Sequence, residues 1–515
     1  MKKIFYFLLF ITAFPATGQD SLVFFNDLNF SSEFEAYAFD EYFKHGRQNY
    51  LALFLAANPD MKKSLFDKYD ATYRSRINNI DIARLSKKKT EKKIKSLYED
   101  VHEQFLTKYE TQNDFSSIFS NGYYNCVSAS ALYGIIFSEF DIPYIIKEKP
   151  THVYLIAYPG SEKILVESTD PSGGFVTSSD RFKEAFVEQM TNAKLISAEE
   201  AKSKSVNQLF DEYYFSDPDI TLKELVGIQY TNHALYALEN NDFKKAHQLL
   251  EKAYLFYPAD RVITLLTAVN IDIIQKSDYA EPEDIVLLAK LARFTEHGIS
   301  HDMIIGEFSR INNTHLINKG DAATYEKYYD QLVSLLDDAE LKHSISYLYN
   351  YERGRVLYNQ GKYDESLPFF TQAYELKPDN LEVNNAMVSA IAQSLRFESN
   401  NNLIIEKLEG FGKKHPKLMD NNVFKSMLVN SYLIQCGQSY DLQNINEASK
   451  YRNLFEEHYS RDLNINAANI GRVYSLAAVY YFRKGHTAKA SNLISKGLEY
   501  APGNYELLMR QKMIR

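Results

Sequence analysis

Three windows of this 515-residue chain align on Pro258, Pro378 and Pro502, and each repeats the same order of small and aromatic residues. The first holds Tyr230, Ala234, Phe243, Ala246 and Ala253. The second holds Gly354, Tyr363, Phe370 and Ala373, within GRVLYNQGKYDESLPFFTQAYELKPDN. The third holds Tyr474, Ala478, Tyr481, Ala490 and Ile494. Small residues at these places let two helices approach closely, and the aromatic rings fill the space between them. Each window therefore predicts a helical hairpin that buries its apolar face only when a neighbour stacks on it. Strand signals vanish from about residue 221, so the pattern predicts an all-α solenoid over 221–515.

These windows resemble the tetratricopeptide repeat (TPR), and the second matches best. The intervals of 120 and 124 residues between the aligned prolines are not multiples of the 34-residue repeat, so degenerate units lie between the clear ones. The resemblance implies a protein or peptide partner bound by the repeats. The formal net charge of −9 argues against nucleic acid as that partner.

The start of the chain reads as a leader. Lys2 and Lys3 precede an apolar run from Ile4 to Phe14, and Ala16 and Gly18 offer a small-residue cleavage site. That run is too short to span a bilayer. The expectation is a signal peptide over 1–18, export to the periplasm or the extracellular space, and no transmembrane segment once the leader is removed.

Between leader and repeats the texture changes twice. Residues 33–110 read as mostly helical, with Ile94, Leu97, Tyr98, Val101, Phe105 and Tyr109 on one apolar face. The basic run of Lys87, Lys88, Lys89, Lys92, Lys93 and Lys95 reads as a solvated helix face. A helix from Cys126 to about Phe140 follows the Asn121-Gly122 turn and closes before Pro143. Short β-rich runs come next at Tyr144–Ile146, Thr151–Tyr158 and Ile164–Ser168. A helix followed by antiparallel strands predicts an α+β domain over 19–220, with its core at about 120–175.

The chain has two cysteines, Cys126 and Cys436, in different predicted domains. Cys126 is expected to be a free thiol. Asn125 is a good helix N-cap residue, which sets the sulfur at a helix N-terminus, where partial positive charge favours the thiolate. Of the three histidines in this part of the chain (His45, His102 and His152), His152 begins a predicted strand, and Asp170 ends the next one. A hairpin pairing Tyr158 with Ile164 sets His152 directly opposite Asp170, on one face, with β-carbons about 5 Å apart. A slip of one residue would send Asp170 to the other face. A carboxylate there would orient an imidazole able to activate a thiol. A metal site built from the same three residues finds no support in ligand spacing, and no cofactor is expected.

The order Cys126 in NCVSAS, His152 in THVYL and Asp170 in STDPS resembles the transglutaminase-like superfamily. The resemblance implies a papain-like site: Cys126 as nucleophile, His152 as general base and Asp170 as orienter, forming a thioester with a peptide-like amide and passing the acyl group to water or an amine. The backbone N–H of Cys126 would supply one oxyanion donor, and Asn121, Tyr123 and Tyr124 remain open as the second. The expected function is thus an exported thiol hydrolase or acyltransferase whose TPR repeats recruit partner or substrate. The alternative is an envelope scaffold that binds proteins through its repeats without turnover.

Overall fold

The computed structural model describes residues 21–168, 175–176, 180–192 and 195–514. The signal-peptide expectation over 1–18 and the site assignment at Asp170 lie outside the described residues. Two compact units divide the chain, one of Met1–Ser277 with Arg293–Ile299, the other of Asp278–Ala292 with Ser300–Arg515.

Among the described residues of the first unit, six α-helices precede the cysteine: α1 (Glu33–Phe43), α2 (Tyr50–Ala56), α3 (Lys63–Asn78), α4 (Ile82–Ser86), α5 (Thr90–Phe105) and α6 (Ser117–Ser120). A short parallel pair, β1 (Lys108–Tyr109) and β2 (Tyr123–Tyr124), leads into α7 (Cys126–Glu139). Helix α7 is apolar on every side, with each residue from Val127 to Phe137 buried, which is the pattern of a central helix. It packs on a five-stranded antiparallel sheet of β3 (Tyr144–Lys149), β4 (His152–Ala157), β5 (Ile164–Val166), β6 (Phe175–Val176) and β7 (Asp219–Ile220), in the order β6-β5-β4-β3-β7. The other sheet face is covered by α8 (Asp180–Asn192), α9 (Ala198–Ser203) and α10 (Val206–Tyr214). There Tyr154 and Ile156 bury against Val187, Ile196, Leu209, Phe210 and Phe215. Edge strand β7 is tied to β3 by Lys147, whose buried ammonium donates to the carbonyls of Phe215 and Asp217 and meets Asp219.

The strands fall where the spacing predicts them, but one register does not. Ala157 pairs with Ile164, where the sequence reading paired Tyr158. The chain leaves β4 one residue early because Tyr158 adopts the left-handed conformation, as does Lys163 at the end of the turn. The geometric ground for setting Asp170 opposite His152 is therefore corrected by one residue.

Helices α11 (Leu222–Glu239), α12 (Phe243–Phe256) and α13 (Asp260–Lys276) belong to the same compact unit as the sheet, so the units do not divide near residue 220 and the sheet does not stand apart as its own domain. The buried Lys252 of α12 meets Glu35 of α1 at 2.8 Å, each side chain 1% exposed, and Tyr230 of α11 donates to the same carboxylate at 2.9 Å. A buried ion pair survives only with such extra bonds.

The second unit has no strand among its described residues. It comprises α14 (Pro282–Leu291), α15 (His301–Ile311), a π-helical turn at Asn312–Asn318, α16 (Ala322–Leu335), α17 (Ala339–Asn359), α18 (Tyr363–Leu376), α19 (Leu381–Ser394), α20 (Asn401–Lys414), α21 (Asn422–Asp441), α22 (Ile445–His458), α23 (Ala467–Arg483), α24 (Thr487–Tyr500) and α25 (Tyr505–Ile514). The aligned windows are hairpins α11/α12, α17/α18 and α23/α24. In each the turn holds one left-handed residue: Asn241, Gly361 and Gly485. A further hairpin, α21/α22, has Gln443 in that place, a unit the sequence had hidden behind a non-glycine turn. Gly354 shows why a small residue recurs within the hairpin, since a β-carbon there would stand 2.8 Å from the ring of Phe370.

Candidate functional site

Cys126 opens α7 as expected. The side chain of Asn125 accepts from the backbone N–H of Ser128, and the Ser128 hydroxyl accepts from the Asn125 N–H, a reciprocal cap that fixes the first turn. Asn125 also donates to the carbonyls of Thr111 and Asn113, anchoring the preceding loop. The thiol is half-buried and unpaired, and the other cysteine, Cys436, is sealed in the second unit with burial pushing its thiol up to about 12.

His152, at the first position of β4, comes to the thiol. Hydrogen bonding to Cys126, then to Glu167, lifts its imidazole to about 9, against a smaller opposing effect of burial. Nε2 lies 2.7 Å from the Glu167 carboxylate. Carrying the observed register one pair further sets Glu167 opposite Tyr154, on the same face as His152. The acid that meets the imidazole among the described residues is thus Glu167, a residue the sequence reading passed over because its register was one residue off.

A second layer holds that acid. The hydroxyl of Tyr98, on α5, donates to the Glu167 carbonyl at 2.9 Å. Tyr98 stacks on Tyr133 of α7, whose hydroxyl lies 2.7 Å from Nδ1 of His102. Burial pushes His102 below the usual imidazole value, and His45 stands at the surface beside Asp40. Neither shares the role of His152.

Cys126 and His152 line one cleft of 160 Å³. Its near wall is Glu148, Lys149, Pro150 and Thr151, the end of β3 and the turn into β4. The far wall comes from Ile228, Thr231, Asn232 and Leu235 of α11 and Arg261 and Leu265 of α13. Asn121, Tyr123 and Tyr124, the residues left open as a second oxyanion donor, do not line this cleft, whereas Asn232 does. No local signal could have found Asn232 or Arg261, since both lie on helices whose pattern reads only as repeat. No group of acidic, histidine and cysteine residues among the described residues is arranged to hold a metal ion.

Fold and site together define a helical-repeat protein with a Cys-His-carboxylate cleft in its first unit. A family profile for the tetratricopeptide repeat matches residues 347–380, which span parts of α17 and α18. The chain is similar to a tetratricopeptide repeat protein from Parabacteroides merdae, at 11% identity over 56% of this chain and 98% of that one, with a TM-score of 0.16. It is also similar to a signal-transduction ATPase with a tetratricopeptide repeat sensor from Pyrococcus horikoshii, at 13% identity over 91% and 75%, with a TM-score of 0.19. Superpositions this slight say nothing of activity. None of the curated proteins matches the chain.

Proposed function

We propose that this chain is a protein-binding scaffold of TPR type. The observation that carries this is the match of residues 347–380 to the repeat, within a unit built of like hairpins. Between α21 and α23 a pocket of 210 Å³ is lined by apolar Leu433, Ile434, Val473 and Leu476 and by polar Gln438, Asp441, Asn469 and Arg472. That combination suits an apolar anchor residue of a peptide with a polar neighbour. The leader-like start supports export, and N-terminal sequencing of the mature chain should begin at Gln19. Complementation of a deletion strain tests the scaffold. Cys126→Ala should restore the phenotype, and Arg472→Glu in this pocket should not. The reverse pattern would refute it.

A second reading is favoured by the contact of His152 with both Cys126 and Glu167. In it, as in the transglutaminase-like resemblance, the Cys126 sulfur attacks an amide carbonyl carbon and His152 gives its proton to the leaving amine. The resulting thioester is released by water or by a second amine, whose proton returns to His152. Glu167 holds the ring, and Asn232 with the Cys126 N–H faces the developing oxyanion. Alkylation by iodoacetamide tests this. Cys126 should react faster than a free cysteine thiol at neutral pH, and His152→Ala should remove the advantage. Ordinary thiol kinetics in the native protein would count against it.

A further inference from the structure

Arg261 lines the Cys126 cleft and is tied to its wall by a buried acid. Its Nη2 donates to Glu148, a buried carboxylate on β3 that also accepts the hydroxyl of Tyr257 at 2.6 Å. The guanidinium lies over the Tyr257 ring, 5.6 Å from its centroid. These contacts fix the plane of the fork. The Arg261 side chain as a whole is 39% exposed, while its Nε is shut off from solvent and takes no part in meeting a ligand.

The charges around the cleft point the same way. Glu148 is spent on Arg261 and Tyr257, and Glu167 on His152. Lys149, half exposed on the near wall, adds a second cation 3.8 Å from Asp217. A planar fork held by a buried acid is suited to a carboxylate, which it meets with two parallel hydrogen bonds. The 160 Å³ cleft has room for one small side chain and not for a drug-sized ligand.

We propose that Arg261 is a specificity-determining residue of the Cys126 cleft, and that the acyl donor taken there is a peptide-like amide bearing a carboxylate close to the reacting carbonyl. This rests on the thiol reading above. It assigns to α13, a helix of the repeat pattern, a part in substrate choice.

The experiment compares alkylation of Cys126 in the full chain by iodoacetate, which carries a carboxylate, and by iodoacetamide, which does not. Buried Cys436 does not compete. The ratio of the two rates should fall about tenfold in Arg261→Gln, the scale of one charge-assisted contact. Because that change strands the buried Glu148, the double variant Arg261→Gln/Glu148→Gln is measured beside it and should show the same fall. In the wild type, raising ionic strength should lower the ratio through screening. Two peptidyl reagents then separate the sources of the acid. Iodoacetyl-glutamate with an amidated terminus carries only a side-chain carboxylate, and iodoacetyl-glutamine carries only a terminal one. The reagent whose rate depends on Arg261 names the source. If iodoacetamide reacts fast and in a His152-dependent way while the ratio is the same in all three proteins, the carboxylate proposal is overturned and the thiol site stands. If Cys126 reacts like an ordinary thiol and His152→Ala changes nothing, both are overturned.

Discussion

Glu167, the residue just past the end of β5, reaches diagonally to His152 on β4, its Oε2 2.7 Å from the imidazole Nε2. The partner is a diagonal neighbour because the register sets Tyr154, not His152, opposite Glu167. Long side chains bridge such diagonals readily. Glu167→Gln keeps the shape and removes the charge. The His152 imidazole, held at about 9, should then titrate closer to the ordinary value of about 6.5. Histidine resonances followed by NMR across pH check this. A titration unmoved by the substitution would remove Glu167 from the site.

The same elevation makes stability depend on pH. The folded protein holds a proton on His152 more tightly than the unfolded chain, so the contribution is present in full below about 6.5 and is lost as pH rises through about 9. The difference in urea midpoint between wild type and His152→Gln should shrink across that window. A difference that grew with pH would show the imidazole to be stabilised in its neutral form instead.

The buried pair of Lys252 and Glu35 predicts an asymmetric response. Lys252→Met strands a carboxylate that is 1% exposed and should cost about 3–5 kcal/mol of stability. Changing both, Glu35→Leu with Lys252→Met, should recover most of the loss, since apolar packing then replaces the pair. Chemical denaturation of the single and double variants decides it, and an equal loss in both would show that shape rather than charge governs the site.

Gly354→Ala tests the close approach within hairpin α17/α18. Alanine favours the helix by up to about 1 kcal/mol. Its β-carbon would stand 2.8 Å from the Phe370 ring, in a packed core where crowding costs about 1–3 kcal/mol. The clash should win, giving a lower denaturation midpoint. A raised midpoint would mean that the ring moves aside freely.

What this sequence determined by itself was local. The cap at Asn125, the helix that Cys126 opens, the strand that His152 begins and the hairpins aligned on three prolines all follow from nearest-neighbour chemistry and short periodicities. Packing decided the rest. A left-handed Tyr158 ends β4 one residue early, and this brings Glu167 to the imidazole. Helices α11 and α13, written in the repeat pattern, lend Asn232 and Arg261 to the thiol cleft. The physical reason is that a single turn residue shifts every cross-strand partner after it. Which distant helix face closes a cleft depends on the fit of whole surfaces, and no short stretch of residues records that fit.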